Sequence, residues 1–188
     1  GIPAGFIIAL KSFAGKRGVI TVLNTLLALP TVVIGLFVYT FISRQGILGS
    51  LSLLYTSKAI IIGQVILIVP IVTTLTIAAI SRIDERYRQT ALTLGANRLQ
   101  TGWVIIHEAR FSIMAAVVTA FGRVISEVGI SMMLGGNIKG FTRTMTTAMA
   151  LEYDKGEFVL AIALGIILLS ISLGVNLLLN IFQGKLGK

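Results

Sequence analysis

The sequence contains no cysteine and only one histidine, His107. Disulfides, thiolate metal sites and cysteine nucleophiles are therefore excluded. A metal site built on two histidines is equally impossible, and a Ser-His catalytic pair has only His107 available. These absences narrow the nucleophilic and metal chemistry that the chain can support, and we expect no catalytic residues, no metal and no cofactor.

Charged residues are also scarce, at 12% of the chain, and acidic ones are the scarcer kind, with 7 Asp and Glu against 16 Lys and Arg. The chain is 55% apolar, with a mean hydropathy of +0.95, which is typical of a protein embedded in a lipid bilayer. A nucleic-acid binder would show a continuous basic face with interleaved aromatic residues. Here the basic residues form short clusters between apolar runs, as in loops near anionic headgroups, so we expect no nucleic-acid partner.

The apolar runs predict an all-α integral membrane protein. At about 1.5 Å per residue, runs of this length cross a hydrocarbon core of about 30 Å. We expect one membrane domain over residues 1–188, with spans at about 19–42, 59–80, 103–134 and 158–183. The run 103–134 carries charges, which indicates a tilted or broken helix. The first ten residues are apolar and do not begin with Met, and the basic residues Lys11, Lys16 and Arg17 follow them, whereas a secretory signal carries its basic residues first. We therefore interpret residues 1–13 as the end of a truncated helix.

The basic residues predict the orientation of the spans. Alternation from residues 11–17 places nine Lys and Arg on the cytoplasmic side and five on the other, which favours this topology. The cytoplasmic set is Lys11, Lys16, Arg17, Arg82, Arg86, Arg88, Arg98, Lys185 and Lys188. The opposite set is Arg44, Lys58, Lys139, Arg143 and Lys155.

Proline and glycine punctuate the spans. Pro30 and Pro70 each predict a kink in a membrane helix, used either for packing or as the hinge of a gate. Several glycines predict close helix contacts. These are Gly35, Gly63, Gly122, Gly129, Gly165 and Gly174.

The cytoplasmic loop 82–102 contains a predicted helix from Asp84 to Leu94. Ser81 or Asp84 can cap its start, and Gly95 can end it. An amphipathic helix in such a loop either lies on the headgroups or docks into a partner protein. Its apolar face is small, so docking is favoured.

The same loop carries a family signature. Gln89-Thr90-Ala91, three residues, Gly95, nine residues and Ile105 resembles the loop of ABC importer permeases, which reads Glu-Ala-Ala, three residues, Gly, nine residues, Ile, one residue, Leu-Pro. Gln89 stands for Glu, Thr90 for the first Ala, and His107-Glu108 for Leu-Pro. The resemblance implies that the loop couples the permease to an ATPase. The coupling set is Arg88, Gln89, Thr90, Ala91, Gly95, Ala96 and Ile105.

Other segments resemble oxyanion permeases, most closely those for tungstate, with those for molybdate close behind. They are Leu29–Gly35 followed by Gly46–Gly49, Ser126–Gly129 followed by Met133–Ile138, and Thr142–Thr144. The resemblance implies the type I ABC importer fold, N-terminally truncated here, in a prokaryotic cell membrane. It also implies a homodimer of permease subunits, ABC ATPase subunits below it and an extracytoplasmic oxyanion-binding protein above. The implied activity is alternating-access uptake of tungstate or molybdate.

The chain itself carries no ATP-binding loop. A P-loop needs Gly, four residues, Gly-Lys and Ser or Thr. Gly135 to Gly140 has the glycine spacing, but Phe141 replaces the lysine. If the protein is ATP-driven, hydrolysis takes place on a separate partner subunit.

Arg123 and Glu127 are the most informative charges within a span, because they lie four residues apart on one helical face. Each needs a partner or water at that depth. Either they pair with each other and join helices, or Arg123 lines the route of a dianion while Glu127 holds Arg123 in place or forms part of a gate. An anion needs hydrogen-bond donors, and Thr119, Ser126 and Ser131 are candidate wall residues.

Two other function classes stay open at this point. A secondary transporter or channel for small anions would work without an ATPase. A membrane-embedded enzyme would need a catalytic constellation, and its only candidates are the charged residues between 107 and 127. His107, Glu108 and Arg110 fit a mutually paired cluster at the cytoplasmic mouth better than a catalytic group.

Overall fold

The computed structural model describes residues 1–186, and within that range the regular elements are α-helices and one short 3₁₀ turn. The helices are α1 (Ile2–Leu10), α2 (Lys16–Leu27), α3 (Thr31–Ile42), α4 (Ser57–Ser81), α5 (Glu85–Thr93), α6 (Arg98–Ile125), α7 (Gly129–Gly135), α8 (Met145–Asp154) and α9 (Phe158–Leu186). The 3₁₀ turn is Gly49–Leu51, in the loop between α3 and α4. The expected all-α fold class is confirmed.

Three helices in the described part of the chain are long and apolar enough to cross a membrane: α4, α6 and α9. A fourth candidate exists if α2 and α3 together form one span. We predicted a single span over 19–42. In the structure, Pro30 is the N-cap residue of α3, has an extended conformation, and separates α3 from α2. The physical reason is that proline also disfavours helical geometry at the residue before it, Leu29. Pro70, in contrast, lies inside the continuous helix α4.

The run 103–134 also divides. Helix α6 begins at Arg98 and ends at Ile125, and the short helix α7 follows from Gly129. Glu127 lies in the break between them. The prediction of a tilted or broken helix left this choice open, and the structure gives a break.

The described residues pack as two compact units, and the expectation of a single domain stays a prediction. The first unit comprises Gly1–Leu27 and Val69–Ala120. In it α1 lies close against α4, since a Cβ on Gly5 would meet the Thr73 carbonyl oxygen at 2.7 Å. Ile80, Ile105 and Ala109 form its buried apolar cluster, with Phe6 packed against it.

The second unit comprises Ala28–Ile68 and the described residues from Phe121 onward. Here α3 packs along α7, and α8 packs along α9. Ile130 and Leu134 of α7 are fully buried, and Gly63 of α4 lies directly against both side chains. Helix α7 is therefore the centre of this unit.

Candidate functional site

Helix α5 begins with a side-chain cap. The carboxylate of Asp84 accepts a hydrogen bond from the backbone N–H of Arg86 at 2.9 Å, and Glu85 sits in the positively polarised first turn. Arg88 donates to Glu85 at 3.0 Å on the exposed side of the helix. Of the two candidate caps, the structure selects Asp84.

The end of α5 is a Schellman turn. Gly95 has φ +81°, its N–H donates to the Leu92 carbonyl at 3.0 Å, and the N–H of Ala96 donates to the Ala91 carbonyl at 3.0 Å. The predicted role of Gly95 as the helix terminator is confirmed. No atom lies within 4 Å of a Cβ placed on Gly95, so backbone conformation alone requires the glycine.

Helix α6 begins with a capping box that we did not predict. Asn97 Oδ1 accepts from the N–H groups of Leu99 and Gln100, while Gln100 Oε1 accepts from the N–H of Asn97 at 2.8 Å. The signal was present in the sequence, since a capping residue followed three positions later by Gln is a helix-start signature. Two caps and one turn thus fix the path of the chain from Asp84 to Gln100.

The residues of the coupling set divide by exposure. Arg88, Gln89 and Thr90 are exposed on α5, and Ala96 is half-buried in the turn. Ala91 is buried, and Ile105 is buried with Ile80 and Ala109. Ala91 and Ile105 therefore anchor the segment to its own unit, while the three exposed residues present its outer surface.

An apolar surface accompanies these exposed residues. Leu94, Leu99 and Trp103 are 82%, 86% and 70% exposed, and Tyr87 is nearly half exposed. We call these four residues the α5 patch. A cavity of about 480 Å³ lies beside it, lined among others by Tyr87, Thr90 and Leu94. Exposed apolar groups of this kind mark a surface that contacts a membrane or a protein.

The departure from the family motif at His107-Glu108 has a structural consequence. A proline at position 108 would interrupt the helical hydrogen bonds, whereas α6 here continues unbroken from Arg98 to Ile125. His107 Nδ1 lies 3.0 Å from Arg110 Nη1 and 4.0 Å from Glu108 Oε1. His107 therefore lies beside both charged side chains of the cluster expected from the sequence.

Arg123 and Glu127 form an ion pair, with Arg123 Nη1 2.9 Å from Glu127 Oε2. The Glu127 side chain is buried, and its other oxygen, Oε1, accepts from the N–H of Ile130 at 3.1 Å. The Thr146 hydroxyl donates to the Glu127 carbonyl at 2.8 Å. The burial cost of this carboxylate is thus offset by a guanidinium and by a backbone donor in the first turn of α7.

The candidate wall residues differ in accessibility. The Arg123 side chain is 38% exposed, and Ser126 and Thr119 are exposed, although their hydroxyls donate to backbone carbonyls of α6. Ser131 is fully buried, with its Oγ 3.5 Å from the Glu127 carbonyl oxygen. A residue that lines a route needs an accessible side chain, so the surroundings of Ser131 favour a packing role.

Thr119 borders a separate groove within the first unit. This groove of about 230 Å³ lies between α4 and α6 and is lined among others by Arg82, Ser112, Ala116 and Thr119. Among the described residues, no group of three or more His, Asp or Glu side chains is arranged to hold a metal ion.

The whole chain, residues 1–188, matches the sequence model of the family described as "Binding-protein-dependent transport system inner membrane component". It is 39% identical to a probable anion ABC transporter permease protein of Haloferax volcanii, over 95% of this chain and 79% of that protein. It is 41% identical to the tungstate uptake system permease protein TupB of Peptoclostridium acidaminophilum, over 97% of this chain and 80% of that protein. The Campylobacter jejuni protein of the same name is 41% identical, over 87% of this chain and 69% of that protein.

The chain belongs to this family of binding-protein-dependent inner membrane components. Its all-helical architecture is that of the type I ABC importer membrane domain, and it is a transport component. Together with the spanning helices, this places it in the prokaryotic cell membrane.

Proposed function

We propose that this chain is the permease subunit of an ATP-driven importer that carries an oxyanion of the tungstate and molybdate type into the cytoplasm. The observation that carries the proposal is the 41% identity to a tungstate uptake permease over 97% of the chain. The chain's own residues are compatible with it, because the accessible ionised group of the Arg123–Glu127 pair is a cation. A guanidinium is the side chain best suited to oxyanion recognition.

The transporter that we propose is a homodimer of this chain with ABC ATPase subunits and an extracytoplasmic oxyanion-binding protein. ATP is hydrolysed on the ATPase subunit, which docks on the surface formed by Arg88, Gln89, Thr90 and the α5 patch. The rigid path from Asp84 to Gln100 supports this role, since a docked segment transmits motion only if its own conformation is fixed.

The route that we propose for the anion passes Arg123, with Ser126 and Thr119 on its wall. Glu127 acts as a positioning residue, because its buried carboxylate fixes the guanidinium and also holds the first turn of α7. Ser131 supports Glu127 from within the core. Alternating access then requires α6 and α7 to exchange between two packings that contact the anion differently.

The test is uptake by the complete transporter, reconstituted in proteoliposomes with its ATPase and binding protein. We expect ATP-dependent accumulation of labelled tungstate or molybdate, in preference to sulfate and phosphate. Uptake that proceeds without the ATPase would contradict the proposal and support a secondary transporter or channel. A complex that hydrolyses ATP but accumulates none of the four oxyanions would contradict the cargo.

The same preparation tests the route. Arg123→Ala removes the proposed contact, and uptake is expected to fall about ten-fold or more, the usual size of a lost charge-assisted hydrogen bond. Arg123→Lys keeps the charge and is expected to retain part of the activity. Equal uptake by the unaltered protein and Arg123→Ala would remove Arg123 from the route.

A further inference from the structure

The end of α3 and the loop between α3 and α4 line an open cavity of about 600 Å³ that the proposed route does not use. All of its lining residues lie between Tyr39 and Tyr55, within the second unit. Its polar lining consists of Tyr39, Ser43, Arg44, Gln45, Ser52 and Tyr55. The remaining lining residues are apolar or glycine, so no carboxylate faces the cavity. The volume falls within the usual range for small-ligand sites, about 300–1,000 Å³.

The backbone of this loop is tightly constrained. Ser52 has φ +46° and Tyr55 has φ +61°, a left-handed region that residues with a side chain rarely adopt. At Gly46 an added Cβ would lie 2.4 Å from the Phe41 carbonyl oxygen, so the loop folds back directly onto the end of α3. Both strained residues line the cavity, and backbone strain of this kind clusters at ligand-binding sites.

The far wall of the cavity is anchored to α7. The N–H of Tyr55 donates to the Leu134 carbonyl at 2.9 Å, and the Tyr55 ring lies against Gly136 at the end of that helix. At the other end of α7, the N–H of Ile130 binds Glu127, the partner of Arg123. One buried helix of seven residues therefore joins the cavity to the Arg123–Glu127 pair.

The charge of the lining residues indicates the chemical class of the ligand. Arg44 carries its only formal charge and is exposed, and in the part of the chain that the structure describes it forms no ion pair. The hydroxyls of Ser43, Ser52 and Tyr55 and the amide of Gln45 add neutral hydrogen-bond donors. A guanidinium surrounded by neutral donors, without a competing carboxylate, suits a small anion with several oxygens.

We propose that this cavity is a second oxyanion site, an entry site on Arg44 that receives the anion before it reaches Arg123. The inference rests on the proposed function for the identity of its ligand. It also agrees with the predicted topology, in which Arg44 lies on the extracytoplasmic side, where the binding protein releases its cargo. Lining by a single cation makes the site weak, as a transit site must be if the anion is to leave it again.

Equilibrium dialysis of the purified permease–ATPase complex tests the site directly, with labelled tungstate or molybdate and without the binding protein. We expect saturable binding to the unaltered complex. Arg44→Ala should weaken it about ten-fold or more, and Tyr55→Phe, which keeps the ring on Gly136, should weaken it less. Arg44 is exposed, so its removal is not expected to disturb folding.

Lys58→Ala is the matched control, because Lys58 is exposed and lies on the same predicted side but does not line the cavity. Its removal changes the surface charge by the same amount and should leave binding within two-fold. Equal weakening by Lys58→Ala and Arg44→Ala would overturn the inference and assign the effect to general surface charge. Binding that is unchanged by Arg44→Ala would also overturn it.

Uptake separates failure of the entry site from failure of the proposed function. If the unaltered transporter accumulates oxyanion and Arg44→Ala does so equally well at low substrate, the entry site is refuted and the transport function stands. If the unaltered transporter accumulates no oxyanion but dialysis shows binding that depends on Arg44, the anion site stands and the proposed cargo is refuted.

Discussion

At the scale of single residues, the segment from Asp84 to Ile105 contains some residues that act through neighbouring backbone groups and others that are buried in the core of their unit. Gly95 and Asp84 both act through neighbouring backbone groups, so the sequence predicted that Gly95 ends α5 and limited its cap to Ser81 or Asp84, of which the structure shows Asp84. Ala91 and Ile105 belong to the same segment, but they are buried and hold the segment on its unit rather than present it. Ile105 is buried beside Ala109, one turn further along α6, and beside Ile80 of α4, which lies elsewhere in the sequence, so the local pattern alone does not reveal this packing.

Replacing Gly95 with valine is predicted to uncouple ATP hydrolysis from uptake. The site has room for a side chain, but a β-branched residue disfavours φ +81°, so the Schellman turn is expected to rearrange and redirect residues 96–100. The ratio of oxyanion transported to ATP hydrolysed measures the effect, and a several-fold fall is expected with the membrane domain still folded.

Gly95→Asn is the matched control, because asparagine tolerates the left-handed region and preserves the turn. It should keep the transport ratio close to that of the unaltered protein. If Gly95→Val coupled normally, the docking role of residues 84–100 would lose its main support.

At the scale of helices, hydropathy located the apolar runs, but it did not show where helices break within a run or which glycines lie in helix contacts. The apolar runs located α4 and α9, but the run 19–42, expected to be one span, is divided at Pro30, and the run 103–134, expected to be tilted or broken, is divided around Glu127. The helix contacts predicted at glycines were likewise only partly confirmed. Gly35, Gly63, Gly129 and Gly165 do lie close to side chains of other elements, which confirms those predictions, whereas a Cβ on Gly122 or Gly174 would meet no atom within 4 Å.

Gly63→Ala and Gly122→Ala form a matched pair that tests this difference. A Cβ at Gly63 would lie 2.5 Å from Ile130 Cγ2 and 2.7 Å from Leu134 Cδ1, and both of those side chains are fully buried. We expect a loss of about 1–3 kcal/mol in stability, the usual cost of overpacking a core. Gly122→Ala should instead be neutral or stabilising by up to about 1 kcal/mol.

Thermal unfolding of the two variants in the same detergent provides the measurement. The midpoint for Gly63→Ala should fall, and that for Gly122→Ala should hold or rise. Equal midpoints would mean that α7 can shift away from α4 at little cost, which would contradict its description as the fixed centre of the second unit.

At the scale of the whole molecule, the absence of cysteine allows the membrane topology to be measured by labelling single cysteines introduced by mutation. The distribution of basic residues predicts that residues 82–102 face the cytoplasm and that Lys139 faces the opposite side. A Lys139→Cys variant should react with a membrane-impermeant maleimide in intact cells. An Arg98→Cys variant should react only after permeabilisation.

The unaltered protein gives no labelling in either condition and serves as the background. Both sites are exposed in the structure, so burial does not mask a thiol. The reverse labelling pattern would invert the orientation, and with it the placement of the Arg44 entry site opposite the ATPase.

The sequence by itself indicated the membrane class, the positions of the apolar runs and the end of α5 at Gly95. These follow from hydropathy summed along a run and from hydrogen bonds within one helical turn, and both quantities are local. The family was indicated separately, by the resemblance of the motif from Gln89 to Ile105 and of the later segments. The tertiary structure decided that Glu127 and Ser131 are buried, that Arg123 keeps an accessible side chain, and that residues 39–55 line an open cavity beside Arg44. Burial and the shape of this cavity depend on residues far apart in the chain, such as Tyr55 and Leu134, whose contact forms only when the helices pack.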